Sequence, residues 1–196
     1  MAIAVAGVVV ELREVILRDK PDHMLEVSAK ATVPVLVLPC GKVIDESFDV
    51  MLWALDIADP NHWLNPEGDS CQDMYDLIAV CDGDFKHHLD RYKYASRYDG
   101  AVAVDHRDAA KGFLTILEQR LVSNVYLFGP RPTLADYAIM PFIRQFANTD
   151  RDWFEGAPYP KLQAWLRELL ASDIFTSVMK KYACWEPGQQ PVLFPS

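Results

Sequence analysis

The chain has 196 residues, 51% of them hydrophobic, and a formal net charge of −9. That length can bury a real core, in one domain or two small ones, and the acidic balance argues against nucleic acid or an anionic membrane as the main partner. The longest apolar run, residues 2 to 10, is too short to span a bilayer and lacks the positive n-region of a signal peptide.

Residues 8 to 17 are rich in β-branched side chains and then alternate, as a strand does. Asp19 to Ala29 reads as a short helix opened by Lys20-Pro21. A second strand, 33 to 38, opens on Val33-Pro34, where proline costs no ladder donor. A tight turn at Pro39 to Lys42 leads into a third short strand, Val43-Ile44. Ser47 to Ala58 is a helix, with Phe48, Met51, Leu52 and Leu55 at i, i+3, i+4 and i+7. Glu46-Ser47 sits at its mouth, where free N–H groups and the positive dipole end suit a carboxylate ligand. For the pair alone, an N-cap with a solvated acid is the better account; the flanking Val-Pro hairpin tips the balance to the ligand role. The stretch Asp59 to Gly68 is dense in turn formers and divides the chain. The first domain is assigned to 1–60, the linker to 61–68 and the second domain to 69–196.

Everything after the linker reads as helix: Ser70 to Val80, stopped near Asp82-Gly83; Asp84 to Ala95, continuing the first after a kink; and Asp105 to Val122, with Phe113, Ile116, Leu117 and Leu121 on one face. Thr133 to Ala147 follows, with Thr133 as N-cap and Asp136 at N3 able to reach back to the Thr133 N–H. Pro160 to Leu170 and Ser172 to Tyr182 complete the set before a Pro-rich tail. Strands, then helices, argue for an α+β domain followed by an all-helical one.

Chemistry-bearing residues outside Glu46-Ser47 are few. Cys40, Cys71, Cys81 and Cys184 are widely spaced with no C-x-x-C pair, so a zinc site or redox dithiol has little support, and reduced thiols in a reducing, cytoplasmic setting are expected. Cys40 has no base beside it in sequence and is not read as a nucleophile. Adjacent His87 and His88 would point about 100° apart on a helix, which reads as unable to share a metal, so no metal is expected. Asp105-His106 reads as a helix cap. Lys86, Arg91, Lys93 and Arg97 form a basic stretch, either a solvated face or a patch that steers an anion.

Residues 30 to 48, from Lys30 through the Val33-Pro34 hairpin to Glu46-Ser47, resemble the glutathione-binding half-site of the cytosolic, bacterial-type glutathione S-transferases. Gly129-Pro130-Arg131-Pro132-Thr133-Leu134-Ala135-Asp136 resembles the capping motif of the family's buried core helix, and Pro160 to Leu166 resembles the start of its next helix. The resemblance spans about residues 1 to 182. It implies a thioredoxin-like first domain that binds glutathione and an all-helical second domain, in a homodimer acting on a small hydrophobic electrophile. Val33, before a Pro34 held in cis, would pair its backbone with the cysteinyl unit. Glu46 would accept from the γ-glutamyl ammonium, Ser47 would hold the γ-glutamyl carboxylate, and Lys30 could add charge for a glycyl carboxylate. Tyr92, Tyr94 and Tyr98 fall where the family builds its hydrophobic-substrate pocket, although Tyr92 suits core packing.

In that frame Val8 to Leu17 is similar to the second strand, and Met1 to Gly7 to the last turns of the first helix. The family's first strand and its catalytic turn, roughly 20 residues, have no counterpart, so no catalytic residue is assigned. Two readings stay open: a shortened form of a transferase, or a non-catalytic binding or dimerisation module. Without the central strand the sheet is expected to rearrange, with strand 8 to 15 moving against 33 to 38 or a partner segment filling the gap.

Overall fold

The structure is a computed structural model, described over residues 1–195. The chain divides into two compact units, Met1–Asn61 with Asp173–Ser196, and His62–Ser172. A small N-terminal sheet unit thus precedes a helical one, as the composition of the two halves implies. The linker reading cuts the chain once, near 61–68, whereas here the final segment also returns to the first unit.

The first unit contains α1 (Ala2–Val5), β1 (Val10–Glu11), α2 (Asp22–Val27), β2 (Leu36–Val37), β3 (Val43–Ile44) and α3 (Ser47–Ile57). From the end of the chain come the last helix, Asp173–Val178, and the last strand, Leu193–Phe194, labelled αC and βC. The helix expected over Asp19 to Ala29 is shorter, because Pro21 takes the N-cap and Ser28 turns extended. Residues 2–5 are helical, as the resemblance implies, and Gly7 leaves that helix at φ +65°, a conformation that only glycine adopts freely.

The sheet departs from expectation. Among the described residues there are two separate two-stranded ladders, β1 with βC and β2 with β3, both antiparallel. Strand 8 to 15 does not move against 33 to 38. The chain's own tail pairs with it instead, setting Val10 opposite Phe194 and Glu11 opposite Leu193. The apolar region between the two ladders holds a cavity of about 690 Å³, lined by Val10, Arg13, His23, Val33, Val37 and Trp53 among others. The long strand over 8–17 reduces to two ladder residues, because Glu14 bridges Cys184 in parallel and Ile16 closes a turn with Asp19. In α3 the buried side chains are Val50, Ala54 and Leu55 rather than the expected stripe of Phe48, Met51, Leu52 and Leu55.

The second unit contains α4 (Cys71–Val80), α5 (Lys86–Lys93), α6 (Ala103–Ser123), α7 (Leu134–Thr149), α8 (Arg151–Gly156) and α9 (Pro160–Ala171). A π turn, Cys81–Phe85, joins α4 to α5 without a stop at Asp82-Gly83. Burial of Cys81 and Phe85 at its two ends overrides the local breaking tendency of Gly83. On α6 the buried face is Ala110, Phe113, Leu114, Leu117 and Leu121. Ile116 was expected on that face but is 44% exposed, with Leu114 taking the inward position. Helix α7 lies at the centre of the unit, with Leu134, Ala135, Ile139, Met140 and Ile143 fully buried. Trp63 stacks on Tyr137 with ring centroids 4.0 Å apart.

Two helices carry capping boxes, Ser70 with Asp73 on α4 and Thr133 with Asp136 on α7. The second matches the sequence reading. Replacing Thr133 by alanine is expected to cost about 1 kcal/mol or more and to leave any ligand affinity of the first unit unchanged. A melting curve that overlays the parent's would overturn the cap assignment.

Candidate functional site

Every residue singled out by the Val-Pro hairpin lies in the first unit. The hairpin is closed by Leu38 N–H donating to Lys42 O and Gly41 N–H donating to Leu38 O, each at 2.8 Å. Gly41 sits at φ +84°, a left-handed conformation that the turn requires. Paired residues along β2 and β3 sum to 80, as in Leu36 with Ile44 and Val37 with Val43. The ladder stops there; Val33-Pro34 precedes β2 and Glu46-Ser47 follows β3, so the antiparallel hairpin carries both motifs at the same end. The Val33-Pro34 peptide is cis, and Val33 is 48% exposed.

The β3–α3 turn is fixed from below. Ser28, buried at the end of α2, donates its hydroxyl to Asp45 at 3.2 Å. Glu46 takes the N-cap position of α3 with extended backbone, and its carbonyl accepts the first helical bond from Val50 N–H at 3.0 Å. Its side chain does not cap the helix but pairs with Lys30, whose ammonium also lies 3.7 Å from Asp45. The hydrogen bond to Glu46 raises the Lys30 pKa above the usual lysine value. Ser47 opens the helix, is exposed, and its hydroxyl has no partner among the described residues. An 11-residue helix therefore presents a hydroxyl and an N–H at its positive end, beside one acid and one base. Such a set fits a zwitterionic amino-acid head group: the serine takes the carboxylate and the glutamate takes the ammonium.

Sequence reasoning singles out Val33, Pro34, Glu46 and Ser47, and weighs Lys30. It missed Ser28 and Asp45, which position the turn. It also missed the Arg13 cluster in the cavity wall, where the guanidinium lies 4.7 Å from the Trp185 ring centroid and 2.9 Å from Glu11. The contacts of Ser28 with Asp45 and of Arg13 with Trp185 carry no local signal, because each partner comes from a distant part of the chain.

The remaining candidates resolve as follows. The basic stretch is spent locally: Lys86 pairs with Asp82 at 3.4 Å, Lys93 donates to Gln145 at 3.1 Å, and Arg91 and Arg97 lie over Tyr98 and Tyr94. Tyr92 is buried against Phe146, in line with its use in packing. His106 does not cap α6. It faces His88, and ring nitrogens of His87, His88 and His106 lie within 4.8 Å of one another. Adjacent imidazoles were expected to diverge, but each swings on two torsions, and the crossing of α5 and α6 supplies a third ring between them.

Residues 1–62 match the family model described as glutathione S-transferase, N-terminal domain, and residues 86–168 match glutathione S-transferase, C-terminal domain. No curated protein matches the chain. Among solved structures, the ternary complex of BphK, a bacterial GST, superposes with TM-score 0.75 at 19% identity, covering 90% of this chain and 88% of that one. Glutathione S-transferase 1-6 from Anopheles dirus species B gives TM-score 0.70 at 20% identity, covering 87% and 81%. The glutathione transferase URE2P6 from Phanerochaete chrysosporium, in complex with oxidised glutathione, gives 0.69 at 18% identity, covering 81% and 76%. Among the described residues no helix is long and apolar enough to cross a membrane.

Proposed function

We propose, on the premise that the chain belongs to the glutathione S-transferase superfamily, that residues 1–60 bind glutathione through Val33, Pro34, Glu46 and Ser47. The observation that carries the reading is the antiparallel β2–β3 hairpin, which carries at one end both Val33-Pro34 and, at the N-terminus of α3, Glu46-Ser47. Ser47 holds the γ-glutamyl carboxylate with its hydroxyl and N–H. Glu46 accepts from the γ-glutamyl ammonium, which competes with Lys30 for the same carboxylate. The Val33 backbone pairs with the cysteinyl unit as an added strand does. The family's use of glutathione and the oxidised glutathione in one similar structure support the choice of ligand.

The chemistry of such a protein is thiol delivery: the bound thiol loses its proton through hydrogen bonding or dipole stabilisation of the thiolate, which then attacks a small hydrophobic electrophile. No residue carried over here activates the sulfur. Turnover of a standard aromatic electrophile by this chain is therefore expected to lie about 10²–10³ below that of a transferase with the activating donor in place. Ordinary family rates would show that another residue fills the role.

Calorimetric titration with reduced glutathione tests the binding site. Ser47→Ala and Glu46→Ala are each expected to weaken binding by about tenfold or more, the scale of one lost charge-assisted hydrogen bond. Thr133→Ala should leave affinity unchanged. Equal affinity in all three variants would remove the assignment. The same reading makes the protein a cytoplasmic homodimer, with its four free cysteines suited to a reducing compartment. Sedimentation showing only monomer at micromolar concentration would exclude the dimer.

A further inference from the structure

Three imidazoles converge in the helical unit, which contains none of the residues assigned to glutathione. His87 and His88 lie in the first turn of α5, and His106 in the first turn of α6. The two helices pack against each other. Ring centroids are 5.0 Å apart for His87 and His88, 5.2 Å for His88 and His106, and 6.1 Å for His87 and His106. The Nδ1 atoms of His88 and His106 are 2.9 Å apart, so one ring donates a proton that the other accepts, and a bound ion would take the place of that hydrogen bond. Arg91 donates to His87 Nδ1 at 3.0 Å, which leaves Nε2 of that ring as its ligand atom.

A purely structural cluster of this kind would place a carboxylate beside a charged imidazole. Among the described residues no carboxylate forms an ion pair with any of the three. His88 and His106 are half-buried and His87 is exposed, so an ion has a path in and a solvent-facing side.

We propose that His87, His88 and His106 bind a divalent transition-metal ion of the class that prefers imidazole nitrogen, with zinc as its representative, through one nitrogen from each ring and a fourth position open to solvent. Tetrahedral zinc holds nitrogens at about 2.0–2.1 Å, so ligand atoms must sit roughly 3.3–3.4 Å from one another. The His88–His106 pair is already closer than this, and the widest separation, 4.8 Å, closes by rotation about side-chain torsions. An all-nitrogen set suits zinc, copper and nickel, whereas magnesium and calcium demand oxygen. Three protein ligands with one open position is the pattern of a reactive or exchangeable site rather than a closed structural one.

The test uses the tag-free full chain, stripped with chelator and alkylated at its thiols so that Cys40, Cys71 and Cys184 cannot compete. Zinc chloride is titrated by calorimetry, and cobalt(II) is followed by its visible absorption. The expected result is one zinc per chain, a higher thermal midpoint with zinc, and the intense visible bands of four-coordinate cobalt. His88→Gln and His106→Gln should each weaken zinc binding by about tenfold or more, because each removes a ligand outright, while the metal-free midpoint stays near the parent's. His87→Gln should weaken it as well. If a glutamine variant does not fold, His88→Asn replaces it. Zinc binding unchanged in His106→Gln, no saturation at one equivalent, or cobalt that keeps its octahedral aqueous spectrum would each overturn the site.

Discussion

Replacing Asp136 by alanine is expected to destabilise the helical unit by about 3 kcal/mol or more, read as a large drop in the denaturant or thermal midpoint. Asp136 is fully buried in the first turn of α7. Its carboxylate accepts from Thr133 N–H at 2.7 Å, the Thr133 hydroxyl at 3.0 Å, Leu127 N–H at 3.0 Å and the Trp165 indole N–H at 2.8 Å. One side chain therefore ties the cap of α7 to the loop before it and to α9. Burial raises the pKa of this carboxyl, and the hydrogen bonds oppose that rise. Alanine would leave the buried donors without an acceptor, each orphan costing about 1–3 kcal/mol, and would leave a void as well. Asp136→Asn is expected to fall between the two, because its amide oxygen can keep some donors while its NH₂ faces the others. A midpoint for Asp136→Ala within the range of Thr133→Ala would mean that the four bonds add little beyond the cap.

What the sequence made legible is what depends on near neighbours. Thr133 and Asp136 are three apart, so their reciprocal bonds could be read directly. Val43-Ile44 and Glu46-Ser47 follow a turn marked by Pro39 and Gly41, and the hairpin stands where those residues place it. Misreadings arose where distant packing decided. Asp82-Gly83 looks like a stop, yet buried Cys81 and Phe85 hold the chain in a helical turn. On α6 a shift of two positions separates Leu114, which is buried, from Ile116, which is not. The candidate site was half legible. Glu46 and Ser47 could be named from their motif, but the pairing of Lys30 with Glu46 and of Ser28 with Asp45 spans 16 and 17 residues and leaves no local trace. His106 likewise lies 18 residues from His88. The tail was the largest omission, because Pro187, Pro191 and Pro195 read as punctuation and hide its pairings with β1 and with Glu14.

Deleting residues 183–196 is expected to destabilise the first unit by about 2–3 kcal/mol and to speed amide exchange across Val10 to Val15, while amides of α7 stay protected. The tail covers one side of β1 in two runs. Leu12 N–H donates to Val192 O at 2.7 Å beside the βC ladder, and Trp185 N–H donates to Glu14 O at 2.8 Å beside the parallel bridge to Cys184. Trp185 also packs against His23, with centroids 4.6 Å apart and the rings tilted by 52°, and lies under Arg13. Backbone bonds contribute about 0.5–1.5 kcal/mol each, and a half-exposed cation–π contact about 0.5–1, so the loss is the sum of several modest terms. Trp185→Ala alone should cost about 1 kcal/mol, the aromatic share of that sum. The deletion also bares a second edge of β1, whose other side already faces the 690 Å³ cavity. A strand with two open edges and an apolar slot beside it invites pairing with a second chain. The shortened protein should therefore associate more strongly as concentration rises. Unchanged exchange at Val10 to Val15 would show that β1 is held from the cavity side, and that the tail lies on the strand without supporting it.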